Sequence, residues 1–362
     1  MDRSKMDRIL ISGATGVLGS GLTKILLQGL HQREIICLYR KTEPRRETFQ
    51  TIAANGNRLK FLPCDLTSES DVNRTVVALP KNGRTLGIHC AADVSWTKEL
   101  SDISTTNILG SINFCKITRS ITDSPGIIYL SSAYTATANW EYRNTYEESK
   151  ALGELEIKKR FPGIPISVFS CSLVIGHSKT GEIERFHGLY PLIKFTTLFD
   201  VPFLVGRKNC LIDLVPVDWT VEQLYEMVKR NIDGEQVQEV VASVGTHRVS
   251  LADLIDLIYK QINKHREQMG FPAKPVPPIL TYRQWLFLQR SVKIWDVKNL
   301  PSRKFKYFEG LLNSYKHYIE NDTVLPPRNI TKQAPDPKTY FDIAADYWFN
   351  KNRETILKRW SN

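Results

Sequence analysis

The sequence contains no apolar run that approaches the ~20 residues needed for a membrane-spanning helix. Its first residues, MDRSKMDRILISG, lack the hydrophobic stretch of a secretory signal. Hydrophobic residues make up 42% of the chain and charged residues 24%, which is typical of soluble globular proteins. From these features we expect a cytoplasmic protein that makes no membrane contact.

Cysteine is sparse, and its spacing is uninformative for metal binding. The chain has six cysteines, and no two of them form a CxxC pair. Most fall in apolar segments with the pattern of strands or helices, where a buried, reduced thiol is the common state. The six positions are Cys37, Cys64, Cys90, Cys115, Cys171 and Cys210. The sequence therefore predicts neither disulfides nor a metal site.

Acidic residues are too few to balance the basic ones, which leaves a net charge of +11 at pH 7. From Leu251 onward, 19 Lys and Arg residues stand against 11 Asp and Glu residues. Such an excess attracts an anionic partner, which could be nucleic acid, acidic lipid, a phosphorylated cofactor or an acidic protein. A solvated basic surface without a partner has the same composition. No nucleic-acid-binding motif accompanies the charge, so we expect no nucleic acid partner.

Short β-rich runs alternate with helical stretches in the first half of the chain. The predicted helix spans residues 17–30, and the predicted strands span residues 8–13, 34–40, 59–64, 87–92, 126–132 and 166–172. These strands are continuously apolar, as expected when helices cover both faces of a parallel sheet. The pattern predicts an α/β fold with a Rossmann-type, doubly wound parallel sheet.

The strongest local signal is ISGATGVLGSGL, in which Gly13, Gly16 and Gly19 follow the first strand and open the first helix. Glycines there permit a tight turn and let backbone N–H groups approach a pyrophosphate at the helix N-terminus. A glycine triplet alone is weak evidence. Its position between strand and helix, at the start of an α/β pattern, predicts a dinucleotide site.

The end of the second strand, CLYRKTEPRRE, favours NADP over NAD. An NAD site usually has an acidic residue there to bind the ribose 2′-hydroxyl, whereas a basic residue accommodates the 2′-phosphate of NADP. Here Arg40 and Lys41 occupy the strand end, and the first acid is Glu43. We therefore predict NADPH as the cofactor, with a solvated pair of charges as the alternative.

The strand–helix alternation loosens after Ser172. We predict an NADP-binding Rossmann domain over residues 1–175 and a smaller, mostly helical substrate-binding lobe over residues 176–362. Residues 213–245 are predicted to return to the Rossmann core. Within the lobe, SLADLIDLIYKQINKHRE has the periodicity of an amphipathic helix with Ser250 as its N-cap.

The stretch NTYEESKALGE places Tyr146 and Lys150 four residues apart, on one face of a predicted helix. An ammonium group near a phenol lowers the phenol's pKa, which suits a group that exchanges a proton near neutral pH. Ser132, at the end of a predicted strand, should face the same crevice. The same spacing recurs in Tyr190 and Lys194, but no strand-end serine precedes that pair.

These pieces together resemble an extended short-chain dehydrogenase/reductase. The resemblance covers about the first 175 residues and rests on GATGVLG, CDLT, HCAAD, NILG, SSAY and Tyr146-EES-Lys150. It implies that Ser132, Tyr146, Lys150 and Asn107 are catalytic, with Asn107 supporting the lysine through a water. The implied cofactor-binding residues are Gly13, Thr15, Gly16, Val17, Leu18, Gly19, Arg40, Lys41, Asp65, Leu66, Ala91, Ala92, Tyr146 and Lys150. Among these, Asp65 and Leu66 would border the adenine.

Other segments are similar to the thioester-reductase and fatty acyl-CoA reductase branch, which carries the male-sterility type of NAD-binding domain. They are CLYR, HCAADVSW, NTYEESKALGE, DLVPVDW and VIGHSKTGEI. The resemblance implies NADPH-dependent reduction of an acyl thioester, bound to coenzyme A or a carrier protein, to an aldehyde or onward to an alcohol. An acidic acyl or peptidyl carrier protein would suit the basic C-terminal lobe. Extended reductases are often dimers, so a homodimer is also among the expectations.

Two alternatives remain open at this point. The first is an extended oxidoreductase or epimerase that acts on a ketone, sterol or sugar. The second is a non-catalytic protein that senses NADP, although such relatives typically lose the tyrosine or the lysine.

Overall fold

The computed structural model describes residues 7–29, 33–40, 59–136, 142–294, 309–310, 312, 315–320 and 325–361. The chain divides into two compact units. The first comprises Met1–Ser172, Val217–Ser243 and Leu325–Gln333, and the second comprises Leu173–Pro216, Val244–Val324 and Ala334–Asn362.

The described helices and strands follow one another along the chain in this order. They are β1 (Arg8–Ser12), α1 (Val17–Gly29), β2 (Glu34–Tyr39), β3 (Leu59–Pro63), α2 (Glu69–Ala78), β4 (Arg84–His89), α3 (Leu100–Ser104), a π-helical turn (Thr105–Leu109), α4 (Gly110–Ser120), β5 (Ser124–Ser132), a 3-10 turn (Ala133–Ala136), α5 (Thr145–Arg160), β6 (Ile166–Cys171), β7 (Leu173–Ile175), α6 (Tyr190–Leu198), β8 (Leu204–Val205), β9 (Leu211–Ile212), β10 (Leu214–Pro216), α7 (Val217–Ile232), β11 (Glu239–Ala242), β12 (Val249–Ser250), α8 (Leu251–Gln268), β13 (Ile279–Leu280), α9 (Tyr282–Ile294), a second 3-10 turn (Pro337–Thr339), α10 (Phe341–Lys351) and α11 (Arg353–Trp360).

A parallel sheet forms the centre of the first unit. Among the described residues it has seven strands in the order β3-β2-β1-β4-β5-β6-β11, and every neighbouring pair is parallel. The order reverses between β1 and β4, so the carboxyl ends of these strands open a crevice of the kind in which doubly wound folds bind ligands. The predicted fold class is confirmed.

The apolar faces of the strands hold the helices that carry the predicted site. On one face of the sheet, Leu10 and Tyr129 pack in a buried cluster with Phe114 of α4 and Ile157 of α5. All four side chains are fully excluded from solvent. Helix α5 is therefore held against β5 by the hydrophobic core of the unit.

The fourth strand differs from its predicted span. It was expected over residues 87–92, but β4 covers Arg84–His89. The strand begins earlier because Thr85 and Leu86 pair with β1. Beyond His89 the chain keeps a hydrogen bond to β1, from Cys90 N to Ser12 O, and then brings the backbone of Ala91 against Gly13.

The second unit combines helices with three two-stranded sheets, among its described residues. Strand β7 pairs with β10, β8 with β13 and β9 with β12. The predicted N-cap at the start of α8 is confirmed, because Ser250 Oγ accepts a hydrogen bond from Asp253 N at 3.1 Å. In the described part of the chain, no helix is both long enough and apolar enough to cross a bilayer.

All six cysteines lie within the described residues, and none forms a disulfide bond. Cys37, Cys64, Cys115 and Cys210 are buried. Burial raises the pKa of the Cys37 and Cys115 thiols to about 12, which leaves both thiols protonated and unreactive at neutral pH.

Gly153 sets how closely α5 approaches its neighbours. A Cβ at this position would lie 2.7 Å from Tyr129 Oη and 2.8 Å from Asn107 O, which is closer than van der Waals contact allows. We expect Gly153→Ala to lower the free energy of unfolding by about 1–3 kcal/mol through overpacking. Urea denaturation measures this change.

Gly163→Ala is the matched control, because no described atom lies within 4 Å of the corresponding Cβ. It should change the free energy of unfolding by less than about 1 kcal/mol. Equal losses in the two variants would contradict the role of Gly153.

Candidate active site

The turn between β1 and α1 requires glycine at position 13. Gly13 has a φ of 72°, in the left-handed region that favours glycine. A Cβ there would also lie 2.6 Å from Ala91 N. Gly16 N donates a hydrogen bond to Gly13 O at 2.9 Å, and α1 begins at the next residue. The turn therefore has a tight backbone cradle that a side chain would fill, which fits a dinucleotide phosphate.

The other predicted turn residues differ in exposure. Thr15 is exposed, Val17 and Leu18 are half-buried, and Gly19 is buried. A Cβ at Gly19 would overlap Gly13 O. The exposed side of the turn is thus formed by Thr15 and the first residues of α1, while Gly19 lets the helix pack onto the turn.

Arg40 follows β2 directly and is exposed. Its charge acts on Asp93, in the loop after β4, so the guanidinium lies near the carboxyl edge of the sheet. The pKa of Asp93 is lowered overall: burial, the largest single effect, raises it, but the Lys98 ammonium at 2.5 Å, the Ser95 N–H and the charge of Arg40 together lower it further. Lys41 lies outside the described residues.

Asp65 and Leu66 follow the end of β3, where an adenine was predicted to lie. Asp65 Oδ1 accepts hydrogen bonds from Thr67 N at 2.9 Å and Thr67 Oγ1 at 2.7 Å. The carbonyl of Leu66 accepts one from Asn113 Nδ2 at 2.8 Å. Both residues therefore stabilise the loop after β3, and their contact with adenine stays a prediction.

Ala91 and Ala92 lie in the loop after β4, and both are half-buried. The loop continues the line of β4, because Cys90 N donates to Ser12 O at 3.1 Å. This places the backbone of Ala91 beside Gly13, at the point where the strand order reverses. The arrangement suits the predicted role of these residues in cofactor binding.

Asn107 lies in the π-helical turn and is fully buried. Its side chain accepts from Asp93 N at 2.7 Å and donates to Asp93 O at 2.9 Å and to Ser149 Oγ at 2.8 Å. Asn107 thus joins the loop after β4 to α5. Sequence reasoning missed Asp93 and Ser149, and the water between Asn107 and Lys150 stays a prediction.

His89 has a structural role in this arrangement. Nδ1 lies 2.6 Å from Ser12 Oγ, Nε2 lies 2.9 Å from Ser111 Oγ, and the ring stacks on Phe114. Burial and the nearby Lys150 lower the pKa of His89 well below its ordinary value. The imidazole is therefore neutral with both nitrogens engaged, so it does not act as a general acid or base.

Ser132 is the last residue of β5 and is buried. Its hydroxyl accepts a hydrogen bond from Tyr134 N at 3.4 Å. In the sheet it lies beside Cys171, the last residue of β6. Ser132 therefore lies at the carboxyl edge of the sheet, as predicted from the sequence.

Lys150 is buried beside β5, with 2% of its surface exposed. Its Nζ lies 4.1 Å from the centre of the Tyr129 ring, and its carbonyl accepts from Tyr129 Oη at 3.0 Å. Burial lowers the pKa of the ammonium from 10.5 to about 7. The cation–π contact with Tyr129 partly offsets the free-energy cost of removing the ammonium from water.

Tyr146 lies one helical turn before Lys150, in the first turn of α5. Its pKa is raised above its ordinary value by burial, and the charges of Cys171 and Glu147 act in the same direction. The prediction that Lys150 lowers this pKa is therefore wrong in its net direction, because desolvation of the phenol is the dominant effect. A protonated Tyr146 can donate its proton to a substrate oxygen.

Tyr190 and Lys194 in α6 do not form a second site of this kind. Tyr190 is buried, and its hydroxyl accepts a hydrogen bond from Gly176 N at 2.9 Å, whereas Lys194 is exposed. The tyrosine stabilises the fold of the second unit, and the lysine faces solvent.

A family model described as "Male sterility protein", an NAD-binding type, matches residues 11–142 and 136–224. These segments span more than half of the chain and contain the glycine turn, Ser132, Tyr146 and Lys150. The chain belongs to the male sterility protein family. No curated protein matches the chain.

Solved structures share the fold of this male sterility family member at low identity. The terminal R domain of the myxalamid PKS-NRPS biosynthetic pathway matches with a TM-score of 0.63 and 17% identity, over 97% of this chain and 91% of that one. A thiolation-reductase di-domain from an archaeal non-ribosomal peptide synthetase matches with a TM-score of 0.67 and 15% identity, over 97% of this chain and 76% of that one. DesIV, a dTDP-glucose 4,6-dehydratase from Streptomyces venezuelae with NAD and TYD bound, matches with a TM-score of 0.62 and 16% identity, over 96% of this chain and 98% of that one. Identities this low show the fold alone.

The buried amine of Lys150 should make the stability of this family member depend on pH. Between about pH 7 and its ordinary pKa of 10.5, the unfolded chain binds a proton that the folded chain does not. The free energy of unfolding should therefore rise with pH in this window, by up to about 1.4 kcal/mol per pH unit. Lys150→Met should remove this part of the slope in urea denaturation without nucleotide.

Lys158→Met changes an exposed lysine of the same helix and is the control. It should retain the wild-type slope, because Lys150 is still present. Indistinguishable slopes for wild type and Lys150→Met would show that burial does not perturb the amine.

Proposed function

We propose that this protein is an NADPH-dependent reductase that converts an acyl thioester to an aldehyde. The observation that carries the proposal is that Ser132 ends β5, that Tyr146 and Lys150 lie on the helix packed against this strand, and that the first turn of the same sheet has a backbone cradle at Gly13. Family membership supports nicotinamide chemistry. Two of the structures that share the fold are R domains of biosynthetic assembly lines, and they suggest the thioester as the substrate to test first.

The side chains suit polarisation of a thioester carbonyl. A bound nicotinamide would supply a hydride to the carbonyl carbon. The hydroxyls of Ser132 and Tyr146 would donate hydrogen bonds to the carbonyl oxygen, where negative charge develops in the transition state. Tyr146, kept protonated by burial, would then transfer its proton to this oxygen. Collapse of the resulting hemithioacetal breaks the C–S bond, expels the thiol and leaves the aldehyde.

Lys150 would contribute its charge close to the nicotinamide ribose. With a pKa of about 7, the amine is partly protonated at neutral pH, and an anionic or hydroxyl-rich neighbour would favour the ammonium form. Asn107 would keep α5 in register with the loop after β4 through its contacts with Asp93 and Ser149. These roles need no metal ion.

The thiol donor is proposed to be anionic, because the excess of positive charge lies in the C-terminal third. Coenzyme A carries phosphates, and carrier proteins present the acyl group on a phosphopantetheine arm. Part of the charge is paired within the second unit, where Lys260, Lys264 and Lys338 contact Asp342, Asp346 and Asp253. The net excess of positive charge would attract an acidic carrier protein.

A substrate screen tests the proposal directly. NADPH absorbance should fall with acyl-CoA or acyl-carrier substrates, and the product should be an aldehyde. Tyr146→Phe should lower kcat by about 10²- to 10⁴-fold, because the proton donor is lost, while NADPH still binds. Brisk turnover of ketones or nucleotide sugars without thioester reduction would replace the proposal with the extended oxidoreductase or epimerase function.

Arg40 is proposed to select NADPH by contacting its 2′-phosphate. Arg40→Ala should raise the Kd of NADPH by about 10- to 100-fold, because a charge-assisted hydrogen bond is lost, and should change the Kd of NADH much less. Cofactor fluorescence titration measures both constants. Arg74→Ala, which removes an exposed arginine of α2, is the control. Equal weakening of NADPH and NADH would refute the assignment.

A further inference from the structure

A buried ion pair that the proposed chemistry does not use joins Arg143, just before α5, to Glu147 in the first turn of this helix. The side chain of Glu147 is 1% exposed and that of Arg143 is 9% exposed. Arg143 Nη1 lies 3.4 Å from Glu147 Oε1, and Arg143 N donates to Glu147 Oε2 at 3.1 Å. A carboxylate is costly to bury even when it is paired. An exposed glutamate would interact equally well with the positive end of the helix dipole. The burial of Glu147 therefore calls for a further function.

The same pair connects α5 to the turn that follows β5. The Arg143 guanidinium carbon lies 4.2 Å from the centre of the Tyr134 ring. Tyr134 is buried, and its backbone N donates to Ser132 Oγ at 3.4 Å. A continuous set of contacts therefore runs from Ser132 through Tyr134 and Arg143 to Glu147, which is the neighbour of Tyr146.

The backbone of Glu147 is held as firmly as its side chain. Asn144 is the N-cap of α5, and its Oδ1 accepts a hydrogen bond from Glu147 N at 2.9 Å. Tyr146 lies between these two residues in the first turn. Any rotation of the turn would displace its hydroxyl, and Glu147 is fixed against rotation from two sides.

We propose that Arg143 and Glu147 are positioning residues for Tyr146, which fix the spacing between its phenol and the hydroxyl of Ser132. This inference rests on the proposed function, because it assumes that Tyr146 donates the proton. Neither residue needs to touch substrate or cofactor. The pair acts by tying the helix that carries one hydroxyl to the turn that follows the strand carrying the other.

Glu147 also acts on Tyr146 through its charge. Burial is the largest cause of the raised pKa of Tyr146, and the charges of Cys171 and Glu147 add to it. Tyr129 on β5 is a further titratable group that interacts with this phenol, and Lys150 lies one turn later on the same helix. If Glu147 is neutralised, the phenol should lose its proton at a lower pH.

The test compares Glu147→Gln with wild type at full length. The glutamine keeps the shape and an acceptor oxygen but removes the charge. We expect kcat to fall by about 10- to 100-fold, because a displaced Tyr146 phenol transfers its proton less efficiently. The KM of the substrate and the Kd of NADPH should stay unchanged, and the alkaline limb of the pH profile of kcat should move to lower pH.

The chain offers a matched control on the same helix. Glu156 and Arg160 form an exposed pair of the same residue types with the same separation, and their side chains are 29% and 57% exposed. Glu156→Gln should leave kcat and its pH profile at wild-type values. Arg143→Lys retains the charge but loses the planar group above Tyr134, so it should give an intermediate kcat.

Several outcomes would overturn the inference. A folded Glu147→Gln protein with wild-type kcat and pH profile would do so, as would a rise in KM at constant kcat. If Glu147→Gln does not fold, Arg143→Lys decides, and a wild-type kcat in that variant counts against the pair. Rates are measured with an acyl-CoA and with a simple ketone. Wild-type rates test the proposed function, whereas the ratio of variant to wild-type kcat tests the ion pair.

Discussion

The burial of the Lys150 ammonium against the Tyr129 ring is the constraint on which the rest of the site depends. Removing an ammonium from water is costly, so the position persists only because the hydrophobic core holds α5 against β5. Gly153 allows this close approach, since a side chain there would meet Tyr129 and the carbonyl of Asn107. The same packing brings Asn107 within reach of Ser149. The packing of the hydrophobic core therefore determines where the side chains of the site lie.

Much of the first unit could be predicted from local pattern. Apolar strands alternating with helices specify a parallel sheet, and the glycines after β1 specify a turn whose need for a positive φ the structure shows at Gly13. The shared face of Tyr146 and Lys150 follows from 3.6 residues per turn. These features depend on short stretches of chain, so a single sequence contains enough information to derive them.

The features that could not be predicted all depend on tertiary contact. The pKa of Tyr146 moves upward because the folded chain removes the phenol from water, and the spacing between Tyr146 and Lys150 gives no information about that burial. Beyond the end of β4, the backbone of Ala91 meets Gly13, which is remote in sequence. Likewise, Asn107 contacts Asp93 and Ser149, which lie in separate segments of the chain. A local sequence pattern does not indicate that these segments are in contact. The segment VIGHSKTGEI in the second unit resembles the family but names no ligand, so the helices of this unit predict packing and not a binding site.

The opposite pKa shifts of Tyr146 and Lys150 have a consequence for the direction of the reaction. Burial favours the neutral form of each group, so the phenol keeps its proton while the amine readily loses one. An oxidising enzyme needs a phenolate to accept a proton from an alcohol, whereas a reducing enzyme needs a phenol to donate one to a carbonyl. The environment of Tyr146, including the carboxylate of Glu147, thus keeps the phenol in the protonated form that the proposed reduction requires. A site arranged for oxidation would instead combine a solvated tyrosine with a fully charged lysine.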